Sequence, residues 1–352
     1  MIDWTEPFDA SYSLAAVDRR TGAECEHGAV EVSGGSISRN LDSEAKESGS
    51  LEVVGRLDLG PALARVYLVA TQGAETAREC LGTFVPQAPT STFTGSAWSA
   101  SASLAGRLSE LSGDDFDAPV SFPKGTAVLP AVRSILEGAG FKVVQVHQST
   151  SVLSCDRTYG LGEEDSSKLA AVNDLLDLAG FSSVSTDAWG RAVLRRAEDI
   201  ADRAPAWTMA EGRGARFLRA VDEELDESGV ANAVRAVYSD QGSTVVGVAV
   251  DEDPTGRWSV PSRGYRLTAT YRYSGTVSQA EADARALSLL RTQQSAVHRV
   301  TLSHVYAPIA VGDAVQVDYP SAGISGRFAA RTMELELGPG CLTRTELRRF
   351  VR

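Results

Sequence analysis

Basic runs, paired cysteines, long apolar stretches and catalytic signatures are all missing from this chain, and each absence removes a class of function. Lysine and arginine number 34 against 46 aspartate and glutamate, a formal net charge of −12. Nucleic-acid affinity comes mainly from cations that neutralise phosphates, so no sequence-specific nucleic-acid binding is expected. The four cysteines, at positions 25, 80, 155 and 341, are far apart and never form a Cys-x-x-Cys pair. That spacing offers neither a disulfide framework nor a zinc site and reads as reduced, small apolar side chains. No apolar run approaches the ~20 residues that span a bilayer, so no membrane span is expected. The start, Met1-Ile-Asp-Trp-Thr-Glu6, has no basic segment followed by an apolar one. A soluble product of the cytoplasm is the expectation.

Chemistry is equally scarce. There is no Gly-x-Ser-x-Gly elbow, no His-Glu-x-x-His and no phosphate loop ending Gly-Lys-Ser/Thr. Gly160-Leu-Gly162 starts like a dinucleotide fingerprint but lacks the third glycine and reads as a loop. The histidines are His27, His147, His298 and His304. Cys25-Glu-His27 could offer two metal ligands, yet no second pair accompanies it. His304 shares its strand face with Val300, Leu302 and Tyr306, the pattern of a hydrogen-bonded, mostly buried histidine. Glycoside hydrolysis needs only two suitably spaced carboxylates. Glu163-Glu-Asp165 and Asp251-Glu-Asp253 are the clusters to weigh, and both read as loop solvation. Asp222-Glu-Glu-Leu-Asp-Glu227, the densest acidic run, reads as a solvated turn or loop. Trp189 and Trp258, each placed in a turn, could stack on sugar or pack on a neighbouring subunit. No catalytic, cofactor-binding or metal-binding residue is assigned, no cofactor is expected, and the chain reads as no enzyme.

What is present is a repeat. Leu129-Pro-Ala-Val-Arg-Ser-Ile-Leu-Glu-Gly-Ala-Gly-Phe141 recurs forty positions later as Leu169-Ala-Ala-Val-Asn-Asp-Leu-Leu-Asp-Leu-Ala-Gly-Phe181. Leu129, Val132, Ile135 and Leu136 share one helical face, as do Leu169, Val172, Leu175 and Leu176. Gly140 and Gly180 sit where a left-handed cap ends a helix, and Phe141 and Phe181 open extended segments. Asp187-Ala-Trp-Gly190 then predicts a tight turn between two short strands. Two copies are too few for a solenoid.

On either side the pattern is β. A chain of 352 residues exceeds the size at which one core keeps growing. Three regions are expected: 1–112, 113–205 and 206–352. The first holds candidate strands at 11–17, 29–38, 50–57, 65–70 and 80–85, with a further extended piece at 92–104. Arg20-Thr-Gly22 and Gly34-Gly35 read as turns, and the spacing suggests a barrel or a sandwich. The second is the α/β module of the repeat. In the third, Tyr265 to Tyr273 alternates like a half-buried strand. Ser278-Gln-Ala-Glu281 is a capping box for a helix carrying Ala282, Ala286, Leu287 and Leu290 as its apolar stripe. Strands follow at 298–306, 314–319 and 332–337, then Gly338-Pro-Gly340 and a last strand at 343–351. The fold class is α+β, mainly β.

The order of these elements carries a family resemblance. A capped helix (278–294) precedes a strand (299–306), Pro308-Ile-Ala-Val-Gly-Asp313, the strand Val315-Gln-Val-Asp-Tyr319 and the turn Gly323-Ile-Ser-Gly326. With Leu175-Leu176, Ala179-Gly180-Phe181 and Asp187-x-x-Gly190, this resembles the tail-hub proteins of long-tailed bacteriophages, across residues 10–345. The resemblance implies two barrel-like antiparallel β (tube) domains with an inserted small α/β module. It also implies a homotrimeric ring that docks on the distal tail protein or tail tube ring. Such a ring holds the tape-measure protein, meets other tail-tip or receptor-binding proteins and gates DNA passage. The location implied is the virion, at the phage tail tip, after assembly in the host cytoplasm. The chain stops directly after the hub pattern, so host recognition is expected of another protein. A DNA conduit should not grip phosphates, which implies a neutral or acidic lumen. A tail-tip carbohydrate- or receptor-binding module and a cell-wall hydrolase are the competing functions.

Overall fold

The computed structural model describes residues 2–25, 30–160, 167–197, 203–225, 229–240, 243–295 and 298–349. Among them no helix is long and apolar enough to cross a membrane.

The chain begins with six antiparallel strands: β1 (Asp9–Val17), β2 (Val30–Asn40), β3 (Glu47–Val54), β4 (Leu63–Gln72), β5 (Glu75–Phe93) and β6 (Trp98–Gly106). They pair in the order β1-β4-β5-β6-β3-β2, and β2 returns to β1 through Tyr12↔Val32 and Leu14↔Val30. The sheet is therefore closed into a barrel, which removes its edges. Alternation explains the wall. Leu51 and Val53 of β3 and Ala100, Ala102 and Leu104 of β6 are buried, while Ser99, Ser101 and Ser103 face out. Leu14, Val66, Leu68 and Phe84 complete the filling. The open choice between barrel and sandwich is decided here for the barrel.

Two expectations fail in this barrel. The extended piece at 92–104 is a hairpin: Thr94 N–H donates to Ala97 O at 3.0 Å, and Gly95 takes φ +92° to reverse the chain. Gly34-Gly35 is no turn between strands but a bulge inside β2, where the register with β3 shifts between Val32 and Gly34. Its physical role is a change of partner. Val30–Val32 pair with β1, whereas Ser36–Asn40 pair with a strand near the other end of the chain. Gly35 has φ +128°, and a Cβ there would overlap Ser50 O. Only glycine allows the backbone so close.

The middle module comprises α1 (Ser109–Ser112), β7 (Val120–Phe122), α2 (Val128–Gly138), β8 (Val143–Gln145), β9 (Arg157–Tyr159), α3 (Lys168–Leu178), β10 (Ser185–Thr186) and β11 (Ala192–Leu194). Both copies of the repeat end alike. Phe141 N–H donates to Leu136 O and Phe181 N–H to Leu176 O, each at 2.9 Å, across glycines at φ +83° and +72°. This is a Schellman-type stop. The copies then pack against each other: α2 lies on α3, and β8 pairs in parallel with β11. Leu129, Val132, Leu136, Leu169, Val172 and Leu176 form one shared core. One copy alone could not bury that face.

Two strands follow, β12 (Trp207–Ala210) and β13 (Phe217–Leu225). The chain then builds a separate layer: β14 (Ala233–Asp240), β15 (Ser243–Val250), α4 (Val260–Arg263), β16 (Thr268–Ser274) and α5 (Gln279–Ser295). The order is β15-β14-β16, with β14 and β16 parallel. Helix α5 covers one face through Ala282, Ala286 and Leu290 against Val234, Ala236 and Tyr238. Its capping box is made: Ser278 N–H donates to Glu281 Oε2 at 2.9 Å and Glu281 N–H to Ser278 Oγ at 3.3 Å. Leu287, expected in the apolar stripe, is 44% exposed because it lies about 100° around the helix from Ala286.

The last strands are β17 (His298–Val305), β18 (Ala314–Tyr319), β19 (Ile324–Glu336) and β20 (Leu342–Arg349). The reversal before β19 is a short 3-10 turn at Pro320–Ala322 ending on Gly323, so Ile324-Ser-Gly326 already belongs to the strand. Together with β12 and β13 these strands make a second six-stranded curl, β12-β18-β19-β20-β17-β13, around Val300, Leu302, Val315, Val317, Phe328 and Leu347. Backbone pairing between β12 and β13 is absent among the described residues. Tyr319 spans the gap instead, stacking edge-on with Phe217 at 5.2 Å and donating to Arg219 O at 2.9 Å. Strand β19 joins the two curls. Its first half pairs with β18 and its second half, Thr332–Glu336, with β2. The closed barrel and the open curl therefore share one continuous twelve-stranded sheet. The α+β, mainly β class is what the structure shows.

Candidate assembly surfaces

The residues weighed for chemistry land in structural positions. His304 is 2% exposed, its ring held by Thr345 Oγ1 at 2.8 Å and Val305 O at 2.7 Å, as expected. His298 is buried against Phe328, with Nε2 2.7 Å from Glu223 and Nδ1 accepting from Arg349 Nε at 2.7 Å. Burial lowers the pKa of both rings. Trp258, expected in an exposed turn, is 6% exposed and packs on Val230, just before Ser259 caps α4. Asp251-Glu-Asp253 forms a local turn in which Asp251 and Asp253 accept backbone N–H groups from Asp253 and Thr255. Cys25 is half-buried, and among the described residues no group of three metal-ligand side chains gathers anywhere. Gly160 lies in a loop at φ +83° against Phe116. His27, Leu161-Gly162 and Glu163-Glu-Asp165 lie outside the described residues.

The acidic run from Asp222 was expected as a loop, and its described part is strand β13. Once the sheet forms the carboxylates find polar partners, on β17 for Glu223 and Glu224 and one strand further, on β20, for Asp222. Glu223 meets His298, Glu224 meets Arg299 at 3.0 Å and Asp222 meets Arg344 at 3.4 Å. The strand itself is held by its backbone ladder with β17, and these exposed pairs add little to it. Asp226 and Glu227 lie outside the described residues.

A cleft of about 250 Å³ runs between the end of α3 and α5, lined among others by Asp177, Phe181, Tyr238, Glu281 and Arg285. Its acids are occupied. Asp177 is paired with Arg285. Glu281 is pushed up by burial, but hydrogen bonds from Ser154 and Ser278 outweigh that and hold it below the usual carboxylate range. A general acid at neutral pH needs the opposite shift. What this cleft does is join modules: Ser154 bonds Glu281, and Cys155 Sγ reaches Thr276 O at 3.0 Å.

The predicted Asp187–Gly190 turn forms, with Gly190 N–H donating to Asp187 O at 2.9 Å and Asp187 Oδ1 accepting from Trp189 and Arg191 N–H. It is pressed onto the wall of the first barrel. Ala188 O accepts from Thr83 Oγ1 at 2.9 Å, Gly190 O from Arg107 Nη1 at 3.1 Å, and the Arg65 guanidinium lies 4.9 Å from the Trp189 ring. Arg107 is 7% exposed, and burial pushes its pKa down to about 10. Its guanidinium also covers Phe141 at 4.2 Å, so one side chain holds both repeat copies to the barrel. Trp189, though 49% exposed, serves this clasp with Tyr67 at 6.4 Å.

Exposed surface suited to partners lies elsewhere. No residue from Cys80 to Gly106 carries a charge in a chain that is 23% charged. Within that stretch, Gln87–Ala97 is exposed throughout, and β5 pairs with β4 only as far as Phe84. The far half of β5 is thus an uncharged open edge, with Phe93 53% exposed and Trp98 under Arg56 at 4.1 Å. Charge is absent from this edge, and Pro86, Pro89 and the bulge between Gln87 and Thr90 confine any added strand to the stretch beyond them. The signal in the sequence is the long uncharged interval itself.

No protein-family profile and no curated protein matches the sequence. Solved structures do match. A tail protein from Neisseria meningitidis aligns over 96% of both chains with a TM-score of 0.67 at 16% identity. A 43 kDa tail protein of prophage MuSo2 from Shewanella oneidensis covers 96% of this chain and 98% of its own, with a TM-score of 0.65 at 12% identity. The E. coli c3393 protein is described as a type VI secretion component similar to the T4 tail proteins gp27 and gp5. It covers 92% and 74%, with a TM-score of 0.53 at 11% identity. The chain carries the fold of phage tail proteins over nearly its whole length.

Proposed function

We propose that this chain is a structural subunit of a phage or phage-like tail hub, a ring that closes the distal end of the tail tube. The observation that carries the reading is the pair of six-stranded curls fused edge to edge through β2 and β19 into one sheet. Three such chains present six similar curls, which suits docking on a six-membered tube ring. The two curls, around residues 1–112 and 206–352, act as tube domains, and the repeat module at 113–205 steadies them. The alignment with two tail proteins across their full lengths supports the same reading.

In this role the side chains work by fit, and no bond is made or broken. The partners are two further copies of the chain, the distal tail or tube ring and the tape-measure protein. The lumen is neutral or acidic, so that DNA passes without being gripped. The uncharged β5–β6 ribbon is the contact with the tube ring, since a chain of charge −12 offers an exposed surface free of charge there. The test is the native mass of the purified chain of 37.3 kDa. A species of three chains at micromolar concentration is expected, and a well-behaved monomer there contradicts the proposal.

A further inference from the structure

The layer β14–β16 has a second face that α5 does not cover. Residues 234, 236 and 238 of β14 pack on α5, so 235, 237 and 239 point away from it. Their cross-strand partners complete the outer face: Val248, Val246 and Thr244 on β15, and Thr270 and Arg272 on β16. Arg235 and Arg272 are exposed, Val248 is 46% exposed, and no acidic residue stands among these positions. Neither arginine meets a carboxylate of its own chain among the described residues. In a protein of charge −12 this is a cationic, partly apolar sheet face, exposed at Arg235, Val248 and Arg272 and buried at its central Val237.

The complementary surface is β13. It pairs with β17 along one side only, and no strand covers its other side among the described residues. Asp222 and Glu224 are exposed over 83% and 56% of their side chains. Leu218, at 54%, adds exposed apolar surface on the same strand. The pairs these acids make with Arg344 and Arg299 are solvent-exposed and therefore weak, leaving the carboxylates free to engage a second cation. The two surfaces match in sign and in their mixture of charge with aliphatic side chains.

We infer that the outer face of β14–β16 in one copy docks on the β13 strand of the next copy, with Arg235 and Arg272 facing Asp222 and Glu224. The contact is heterologous, joining different patches on the two molecules, and repeats of one such contact close into a ring when the rotation allows it. This rests on the ring reading above and names the surfaces that close it.

The experiment compares native mass against concentration and salt for four forms of the full chain. These are the wild type, R235E/R272E, D222R/E224R, and all four substitutions together. All four positions are exposed, so circular dichroism and melting should match the wild type in every form. Each reversal should weaken trimerisation about tenfold or more, the quadruple variant should recover it, and added salt should weaken the wild type. Reversals that leave the trimer intact overturn the assignment of surfaces and leave the ring reading standing. Loss in both reversals without recovery in the quadruple variant also overturns the pairing. A monomeric wild type overturns the ring reading itself.

Discussion

Gly247→Val is expected to destroy the β14–β16 layer while leaving both barrels folded. Gly247 lies mid-strand on β15, facing α5, and a Cβ there would overlap the Ala282 carbonyl and come within 2.6 Å of Asp283 N. The obstacle is helix backbone, which cannot rotate away like a side-chain end. Ala282 is fully buried, and the capping box that starts the helix lies one residue before it, so α5 can move off only by losing its packing. Overpacking commonly costs about 1 to 3 kcal/mol, and the collision here belongs at or beyond the upper end. Hydrogen exchange read residue by residue should show β14–β16 and α5 exchanging rapidly, with the β1–β6 barrel still protected. Uniform wild-type protection would mean that α5 does not sit where its contacts place it.

The second large effect concerns the seam between the barrels. Gly34→Ala and Gly35→Ala differ by one position and should differ sharply in outcome. At Gly34 a Cβ meets only the movable end of Glu52, at 3.3 Å. At Gly35 it meets Ser50 backbone, with the carbonyl carbon 2.9 Å away, in a conformation of φ +128° that side chains avoid. Strain and collision together give about 3 kcal/mol for Gly35→Ala. Gly34→Ala should fall below about 1 kcal/mol. Denaturant titration of the two variants checks the contrast. Equal stabilities would remove the argument that β2 must bulge here to leave β1 and join β19.

Legibility in the sequence followed the range of the interactions. The twin helices, their glycine stops and the Asp187–Gly190 turn were readable because each is fixed within a few residues. The same is true of the capping box at Ser278. The hairpin at 94–97 was not, since a run of threonine, serine and alanine hides its reversal at Gly95. Gly34-Gly35 looks like a turn because the reason for its glycines is Ser50, which lies beside it only after β3 has folded back. The acids of β13 look like a loop until β17 arrives from far along the chain and pairs with them. Closure of the first barrel, the parallel pairing of β14 with β16 and the β2–β19 seam are all long-range facts. Among the weighed site residues, His304 was legible from its strand face. Trp258 was not, since its packing partner Val230 comes from an earlier part of the chain.

The assembly role can be tested where it would operate. A cryo-EM reconstruction of intact tails carrying this chain should show three copies in a ring at the far end of the tube, each contributing both curls around the lumen. The β5–β6 ribbon should point toward the tube ring. Density for this chain elsewhere on the particle, or a single copy lying outside the axis, would contradict the account.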